Sequence, residues 1–170
     1  TGRQQSQTMA SSIIDEVVVT FTRVAPISKN LFQEIKLQTQ FVSSEDIRIL
    51  LSAYDFQAHS EQREILHAMP INFSLDAKTG LTDPRGLIGQ TLGLDINLIT
   101  IQKNIIENID QCFRNCQLNL AGIFFSPYIS AKSSLVADEL KLGATCIDLG
   151  FGTTGISIFY NHQLLFASNL

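Results

Sequence analysis

Alternation of apolar and polar positions predicts the strands of this chain. It is clearest over residues 91–100, where the side chains on one face are Leu92, Leu94, Ile96 and Leu98. A period of two residues is typical of a strand with one face on a core. Alternating or short β-branched runs predict further strands at 13–22, 31–41, 65–69, 71–76, 120–125, 144–148, 155–160 and 163–168. Pro70 predicts an edge or a break, because proline donates no hydrogen bond to a sheet.

Helical spacing of apolar residues predicts three helices. The first begins after the serines at 43–44, where a hydroxyl can accept from unpaired N–H groups and the acidic pair at 45–46 favours the positive end of the helix dipole. Its apolar stripe is Ile47, Leu50, Leu51 and Tyr54. A second helix is predicted over 101–117. A third is predicted over 126–143, with proline in its first turn and glycine at its end.

The order of these elements indicates an α/β or α+β fold with an insertion. A first strand is followed by a compact block at 26–98, then by a strand between two helices, then by a new strand–turn–strand unit. The first strand and the segment after Ile99 are expected to share one sheet that the block interrupts. Residues 1–12 are polar and are predicted to be disordered.

Composition narrows the classes of function. The chain has 170 residues, 45% of them hydrophobic, which is enough for a packed core. The formal net charge is −4 and no basic run stands out, so we expect no nucleic-acid partner. No apolar stretch approaches the roughly 20 residues that span a bilayer, and the polar start has no secretory signal pattern. We therefore expect a cytoplasmic, soluble chain.

Cysteine and histidine provide no catalytic or metal-binding set. Three cysteines, an odd number, argue against a disulfide framework. Cys112 and Cys116 lie four apart on the second helix, but no nearby residue completes a zinc site, and we expect both to be buried. The histidines are scattered without a nucleophile or carboxylate at catalytic spacing: His59, His67 and His162. His67 is expected to pack or hydrogen-bond within the 26–98 block.

The segment DLGFGTT at 148–154, between two predicted strands, is a candidate phosphate-binding turn. Glycines allow a backbone to approach a polyphosphate, exposed N–H groups bind the anion, and a leading carboxylate can hold a hydrated divalent cation. The candidate ligand-binding residues are Asp148, Gly150, Gly152, Thr153 and Thr154, with Asp148 as the metal residue. The alternative is an ordinary glycine-containing β-turn with a satisfied aspartate.

The middle of the chain resembles the FtsA family of bacterial actin-like cell division proteins. The residues that carry the resemblance are Leu66-His67, Pro70, Phe73, Asp76, Gly80, Asp83-Pro84, Gly86, Gly89, Leu92 and Asn97-Leu98-Ile99-Thr100. Their order and spacing match the family over most of the chain, although the family commonly has histidine in place of Asn97. Such a set is far more specific than a single glycine turn.

The resemblance implies a partial actin-like, ribonuclease-H-like fold with an inserted 1C-type subdomain. On that basis 13–25 would end subdomain 1A, 26–98 would be 1C, 99–142 would return to 1A, and 143–170 would begin 2A with the second phosphate loop. The chain would lack the first phosphate loop, the adenosine pocket and the C-terminal amphipathic helix by which the family docks on the inner membrane.

The phosphate loop departs from the family pattern at two positions. Phe151 stands where the family has glycine, so close backbone approach or a positive φ angle would be obstructed unless the ring turns away. Gly155 stands where aspartate is usual. Both changes are expected to weaken ATP binding, and hydrolysis more. Asp148 and Thr153 still allow Mg²⁺ and one phosphate contact, so ATP and Mg²⁺ are expected in the full-length parent and not on this chain alone.

The function implied by the resemblance is that of a protein-interaction adaptor. The full-length parent would link FtsZ filaments to the cytoplasmic face of the inner membrane at the division site and recruit later division proteins, with 1C serving those contacts. One alternative is an ATPase whose turnover is the purpose of the molecule. Another is a type IV pilus assembly protein, which also carries an inserted small subdomain, although the DP-G-G loop at 83–89 favours division. Self-association through an unpaired strand edge stays open.

Overall fold

The structure is a computed structural model that describes residues 2–22, 25–58 and 62–170, without the side chains of 53–58. His59 and the side chain of Tyr54 therefore lie outside the described residues. The helices are α1 Gly2–Ala10, α2 Ser44–Ala58, α3 Lys103–Asn115, α4 Ser126–Ser134 and α5 Ala137–Leu142. The strands are β1 Glu16–Phe21, β2 Ile27–Lys36, β3 Arg63–Leu75, β4 Lys78–Leu81, β5 Thr91–Gln102, β6 Asn119–Phe125, β7 Ala144–Leu149, β8 Thr154–Tyr160 and β9 Gln163–Asn169.

The described strands form three sheets. β1 and β6 pair in parallel, with Phe21 opposite Phe125, so the first strand and the segment after Ile99 do share one sheet. A four-stranded antiparallel sheet in the order β2-β5-β3-β4 forms between them in the sequence, and we call it the inserted sheet. The third sheet is antiparallel in the order β7-β8-β9. Its β8–β9 connection has positive φ angles at Asn161 and His162, as a tight hairpin turn requires.

Strand β5 joins the two hydrophobic cores. Its alternating side chains Leu92, Leu94, Ile96 and Leu98 pack with α2 in the first core, as the sequence predicted. From Ile99 onward the buried side chains belong to the second core, with Phe125, Phe159, Leu164 and Ala167. The inserted sheet is therefore covered on one side by its own helix and on the other by the rest of the chain.

Two local sequence signals are confirmed. The backbone N–H of Ser43 donates to Asp46 Oδ2 at 2.8 Å, and the Asp46 N–H donates back to Ser43 Oγ at 3.2 Å, so the two residues close the first turn of α2. The Ser43 hydroxyl and backbone N–H together lower the pKa of Asp46. Pro70 lies beside a bulge in β3. At this position β3 pairs with β5 on one side and with no described strand on the other, because β4 pairs only with the Phe73–Leu75 part of β3.

Residues 2–10 form a helix, and the prediction of disorder over 1–12 is wrong for them. The segment contains Gln, Arg, Met and Ala, which favour helix, and no proline. The Arg3 side chain also ties it to the chain, because Nε donates to Ile14 O at 3.3 Å and Nη1 donates to Cys116 O at 2.9 Å. Thr1 lies outside the described residues.

The prediction that Cys112 and Cys116 are buried is also wrong, since both are exposed. Helix α3 begins at Lys103, because Ile101 belongs to β5 and is fully buried there. The helix packs on the second core through Ile105 and Ile106, and no residue of α3 is fully buried. Helical spacing places Cys112 and Cys116 on the face of Ile105, but the neighbouring elements do not bury that face at the carboxyl end of the helix.

The third predicted helix is two helices. Leu135 and Val136 adopt extended backbone conformations between α4 and α5. Helix α5 has its own start, since the Glu139 carboxylate accepts from the N–H of Val136 at 2.9 Å. It ends at Gly143, whose φ of 109° is one that glycine adopts without strain. Among the described residues, no helix is long and apolar enough to cross a membrane.

Candidate functional site

A cleft of ≈ 480 Å³ lies where three strands end. Thr22 follows β1, Ser126 follows β6, and Asp148 lies near the end of β7. Because β1 and β6 are parallel, their carboxyl ends meet at one edge, where ligand sites of open α/β sheets usually form. The residues that line the cleft are Thr22, Ser126, Asp148, Gly150, Phe151, Gly152 and Thr153.

The structure brings together four of the five predicted site residues. Asp148, Gly150, Gly152 and Thr153 line the cleft, whereas Thr154 does not. Thr154 begins β8, and its backbone exchanges hydrogen bonds with Leu170 at 3.0 and 2.8 Å. Its N–H and C=O are thus used by the sheet. The predicted role of Thr154 in ligand binding would therefore have to rest on its side-chain hydroxyl.

The loop at 150–153 is closed by one internal hydrogen bond. The N–H of Gly150 donates to Thr153 O at 3.0 Å, so this amide points at the protein and not at a ligand. Phe151 does not have a positive φ angle, and its side chain is fully exposed. The ring thus turns outward at the mouth of the cleft, which is the one arrangement in which we expected Phe151 not to obstruct the backbone.

The Asp148 carboxylate has no hydrogen-bond or ion-pair partner in the described part of the chain. The side chain is half-buried at the cleft wall. The alternative of an ordinary glycine turn stays open, because a half-exposed carboxylate can also be satisfied by water. Across residues 2–22, 25–58 and 62–170 no three His, Cys, Asp or Glu side chains cluster to hold a metal. A cation here would need water and ligand oxygens to complete its coordination.

Gly155 is needed for packing. A Cβ atom at this position would lie 2.5 Å from Cγ and 2.8 Å from Cβ of Pro127. Pro127 is buried in the first turn of α4, so glycine lets that helix rest directly on β8. This contact supplies a physical reason for the departure from aspartate at position 155, because any larger side chain would push α4 off the sheet.

Helix α4 begins at the cleft wall. Phe125, the last residue of β6, is its N-cap, and Ser126 lines the cleft. The amino-terminal turn of a helix presents unpaired N–H groups and the positive end of its dipole. The sequence pattern gave no prediction of a site role for Ser126 or Thr22. The available signal was that each follows the final residue of one of two strands that were expected to share a sheet.

His67 contacts this helix start from the inserted sheet. Its Nε2 accepts a hydrogen bond from the N–H of Phe125 at 3.0 Å. Its ring lies 5.6 Å from that of Phe124 and 5.4 Å from that of Tyr128, centre to centre. Burial lowers the pKa of His67 to about 4 and raises the pKa of Tyr128. The prediction that His67 bonds within the 26–98 block is wrong, because its partners lie outside the block.

Strand β9 is tied to both other sheets by amide side chains. Asn97, buried in the inserted sheet, donates from Nδ2 to Asn30 Oδ1 at 2.6 Å and to Leu165 O at 3.2 Å. At the far end of β9, Asn169 Nδ2 donates to Thr22 O. The wall of the cleft at Thr22 is therefore supported by β9.

The DP-G-G loop behaves as a turn. Asp83 Oδ1 accepts from the N–H of Arg85 at 3.1 Å, as expected of an aspartate that closes its own loop. The Arg85 guanidinium also lies 2.6 Å from Asp83 Oδ2, and this hydrogen-bonded contact lowers the pKa of Asp83 to about 2. Both side chains are exposed, so the pair contributes little to stability.

The inserted block of this chain matches a known protein family. Residues 25–100 match the family described as the SHS2 domain inserted in FtsA. The chain is 33% identical to the cell division protein FtsA of Agrobacterium fabrum over 160 residues, which is 94% of this chain and 36% of that protein. It is 34% identical to FtsA of Rhizobium meliloti over 162 residues, 95% of this chain and 37% of the relative.

A solved structure shows the same fold at low identity. The type IV pilus biogenesis complex PilM-PilN contains a chain that superposes with a TM-score of 0.64 at 12% identity, covering 99% of this chain and 47% of that one. This likeness concerns fold alone. The fold is an actin-like one with an inserted subdomain.

The relatives are much longer than this chain. FtsA of Pseudomonas aeruginosa is 30% identical over 155 residues, 91% of this chain and 37% of the relative. The chain thus spans little more than a third of the length of these curated relatives. Because the similarity runs through the inserted sheet and through the strands on either side of it, this chain belongs to the FtsA family.

Proposed function

We propose that this chain is the part of an actin-like bacterial cell division protein that carries its interaction subdomain and its second phosphate loop. The observation that carries the proposal is the similarity to proteins named cell division protein FtsA over more than nine-tenths of the chain. In this proposal 13–25 and 99–142 belong to subdomain 1A, 26–98 is 1C, and 143–170 begins 2A. The full-length parent links FtsZ filaments to the cytoplasmic face of the inner membrane and recruits later division proteins.

The inserted sheet supports a role in protein contacts. Strand β2 is at the edge of the sheet and has β5 as its hydrogen-bonded neighbour, so its outer edge has unpaired backbone groups among the described strands. Phe32, Phe41 and Ile88 are exposed by half or more on the same block. Unpaired edges and exposed apolar side chains are features of surfaces that bind other chains, including a second copy of the same chain.

The test is co-sedimentation of the full-length parent with FtsZ. FtsZ is assembled into filaments with GTP and pelleted, and we expect the parent to pellet with the filaments and to stay in the supernatant without them. A parent that is folded by circular dichroism but remains in the supernatant at every FtsZ concentration would contradict the adaptor role. The same experiment with this chain alone asks whether it contains the FtsZ contact.

A role in type IV pilus assembly is the second candidate, and the superposition on the PilM-PilN complex is the observation in its favour. That fold likeness comes with 12% identity, against 33–34% for the FtsA relatives. Binding of the full-length parent to a PilN protein, with no binding to FtsZ, would favour the pilus over division.

Nucleotide binding by the parent is a further part of the proposal. ATP with Mg²⁺ would place phosphate oxygens at the cleft, where Asp148 offers an unpaired carboxylate and Thr153 and Ser126 line the wall. These donors and acceptors fit a hydrated Mg²⁺ and one phosphate group. The bound cation would neutralise phosphate charge. We do not expect tight binding, because the Gly150 N–H already donates to Thr153 O and the Phe151 side chain points into solvent.

Asp148→Asn in the full-length parent should weaken binding of Mg-ATP by about tenfold or more, because the substitution removes the charge that holds the cation. Isothermal titration calorimetry measures the dissociation constant. Asp95→Asn is the matched control, since Asp95 is exposed on β5 and outside the cleft lining. Equal affinity for the wild type and Asp148→Asn would remove Asp148 from the site.

A further inference from the structure

His67 links the inserted sheet to the chain that forms the cleft. It lies in β3, opposite Ile99 of β5, and only 7% of its surface is exposed. Its Nε2 accepts from the N–H of Phe125, and its ring packs on Phe124 and Tyr128. These partners belong to β6 and α4. A polar side chain of the inserted sheet thus completes the hydrogen bonding of another sheet's strand end.

The bonded amide stands at the joint between β6 and α4. Phe125 is the N-cap of α4, and the next residue, Ser126, lines the cleft. A helix leaves its first N–H groups without partners within the helix, and Pro127 has no N–H to offer. The Phe125 N–H therefore takes its acceptor from outside the helix, and that acceptor is His67 Nε2. Strand β1, which pairs with β6 at Phe21, supports the same strand end from its other neighbour.

We propose that His67 is a positioning residue through which the inserted sheet holds the cleft wall at Phe125 and Ser126. Movement of the inserted sheet is transmitted to the wall through this hydrogen bond. An effect of His67 on phosphate binding rests on the proposed function of the cleft. An effect of His67 on the protection of the Phe125 amide does not rest on it.

The hydrogen bond also assigns the tautomer of the ring. Nε2 must be unprotonated to accept from Phe125, so the neutral ring carries its proton on Nδ1. An imidazolium ring has donors at both nitrogens and cannot accept. The contact is therefore specific to one protonation state and one tautomer, which nitrogen NMR of the labelled ring distinguishes.

Two variants separate the hydrogen bond from ring packing. His67→Phe keeps an aromatic ring beside Phe124 and Tyr128 but leaves the buried Phe125 N–H without an acceptor. His67→Gln offers an acceptor oxygen at a similar reach. Without ligand, we expect hydrogen exchange of the Phe125 and Ser126 amides to become about tenfold faster in His67→Phe and to return toward the wild-type rate in His67→Gln. Arg85→Ala, at an exposed site on the same block, is the control.

The outcomes are distinct. Unchanged exchange at Phe125 in a folded His67→Phe protein overturns the proposal, and so does an equal acceleration at every amide, which would indicate general destabilisation. If His67→Phe does not fold, nitrogen NMR of the wild-type protein provides the test. A scalar coupling between Nε2 of His67 and the amide nitrogen of Phe125 supports the proposal, and a proton on Nε2 overturns it.

A second readout tests the connection to the cleft. In the full-length parent, His67→Phe should weaken Mg-ATP binding several-fold and His67→Gln should restore it. If the parent binds no Mg-ATP at all, the proposed nucleotide site fails while the exchange result stands. If the wild type binds and His67→Phe binds equally well, His67 does not act on the cleft.

Discussion

Replacing Phe125 with alanine should lower the free energy of unfolding by about 3–5 kcal/mol. The ring is fully buried and belongs to the core that also contains Ile99, Phe159 and Ala167. Removing it leaves a cavity between the inserted sheet, α4 and the third sheet, where three separate elements meet and none can close the space alone.

Urea unfolding followed by far-ultraviolet circular dichroism measures this effect. Phe151→Ala is the matched control, because it removes the same side chain from a fully exposed position and should change the free energy by less than about 0.5 kcal/mol. Similar values for the two variants would show that the second core does not depend on Phe125.

Acidification from pH 6.5 to pH 4 should destabilise the wild type more than His67→Gln, by about 1–3 kcal/mol. The pKa of His67 is about 4 in the folded chain against an ordinary 6.5. In this window the unfolded state takes up a proton that the folded state excludes, so stability falls as the pH falls. The contribution is fully present above pH 6.5 and is lost by about pH 4. Glutamine has no proton to take up.

Urea unfolding of both proteins at several pH values between 7 and 4 tests this prediction. The carboxylates that titrate at the lower end are the same in both proteins, so the difference between the two curves isolates His67. The groups that face its ring are Phe124, Phe125, Tyr128 and Ile99, and a raised pKa keeps Tyr128 neutral throughout. Parallel curves for the two proteins would show that His67 is exposed to solvent.

Local patterns predicted most strands and the start of α2, but they missed β4 at Lys78–Leu81, placed β2 at 31–41 instead of Ile27–Lys36, and divided β3 at Pro70. The alternation over 91–100 is strong because one face of β5 is buried completely against α2, and Ser43 with Asp46 is a purely local signal. The errors arose where partners are distant in sequence. Residues 2–10 gain their helix with the help of Arg3, which reaches Cys116. Ile101 looked like the start of a helix because a buried strand end and a helix face share apolar residues.

Only the part of the candidate site that lies in the 148–153 segment was predicted from the sequence. Asp148, Gly150, Gly152 and Thr153 lie on contiguous chain, so their spacing alone indicated a turn. Thr22 and Ser126 follow strands about a hundred residues apart. The two strands were expected to share a sheet, but neither segment by itself shows that their carboxyl ends meet. His67 was assigned to the wrong neighbours for the same reason, since a sequence shows that a histidine is flanked by apolar residues but not which sheet it faces.

The two side-chain bonds that tie β9 to the other sheets restrict how the cleft can open. Asn97 holds the strand at Leu165, and Asn169 holds its far end to Thr22. A hinge motion that swings the third sheet away as a rigid flap would have to break both bonds at once. Opening and closing around a guest molecule should therefore be confined to the short loop at 150–153, whose two glycines are the softest backbone at the rim.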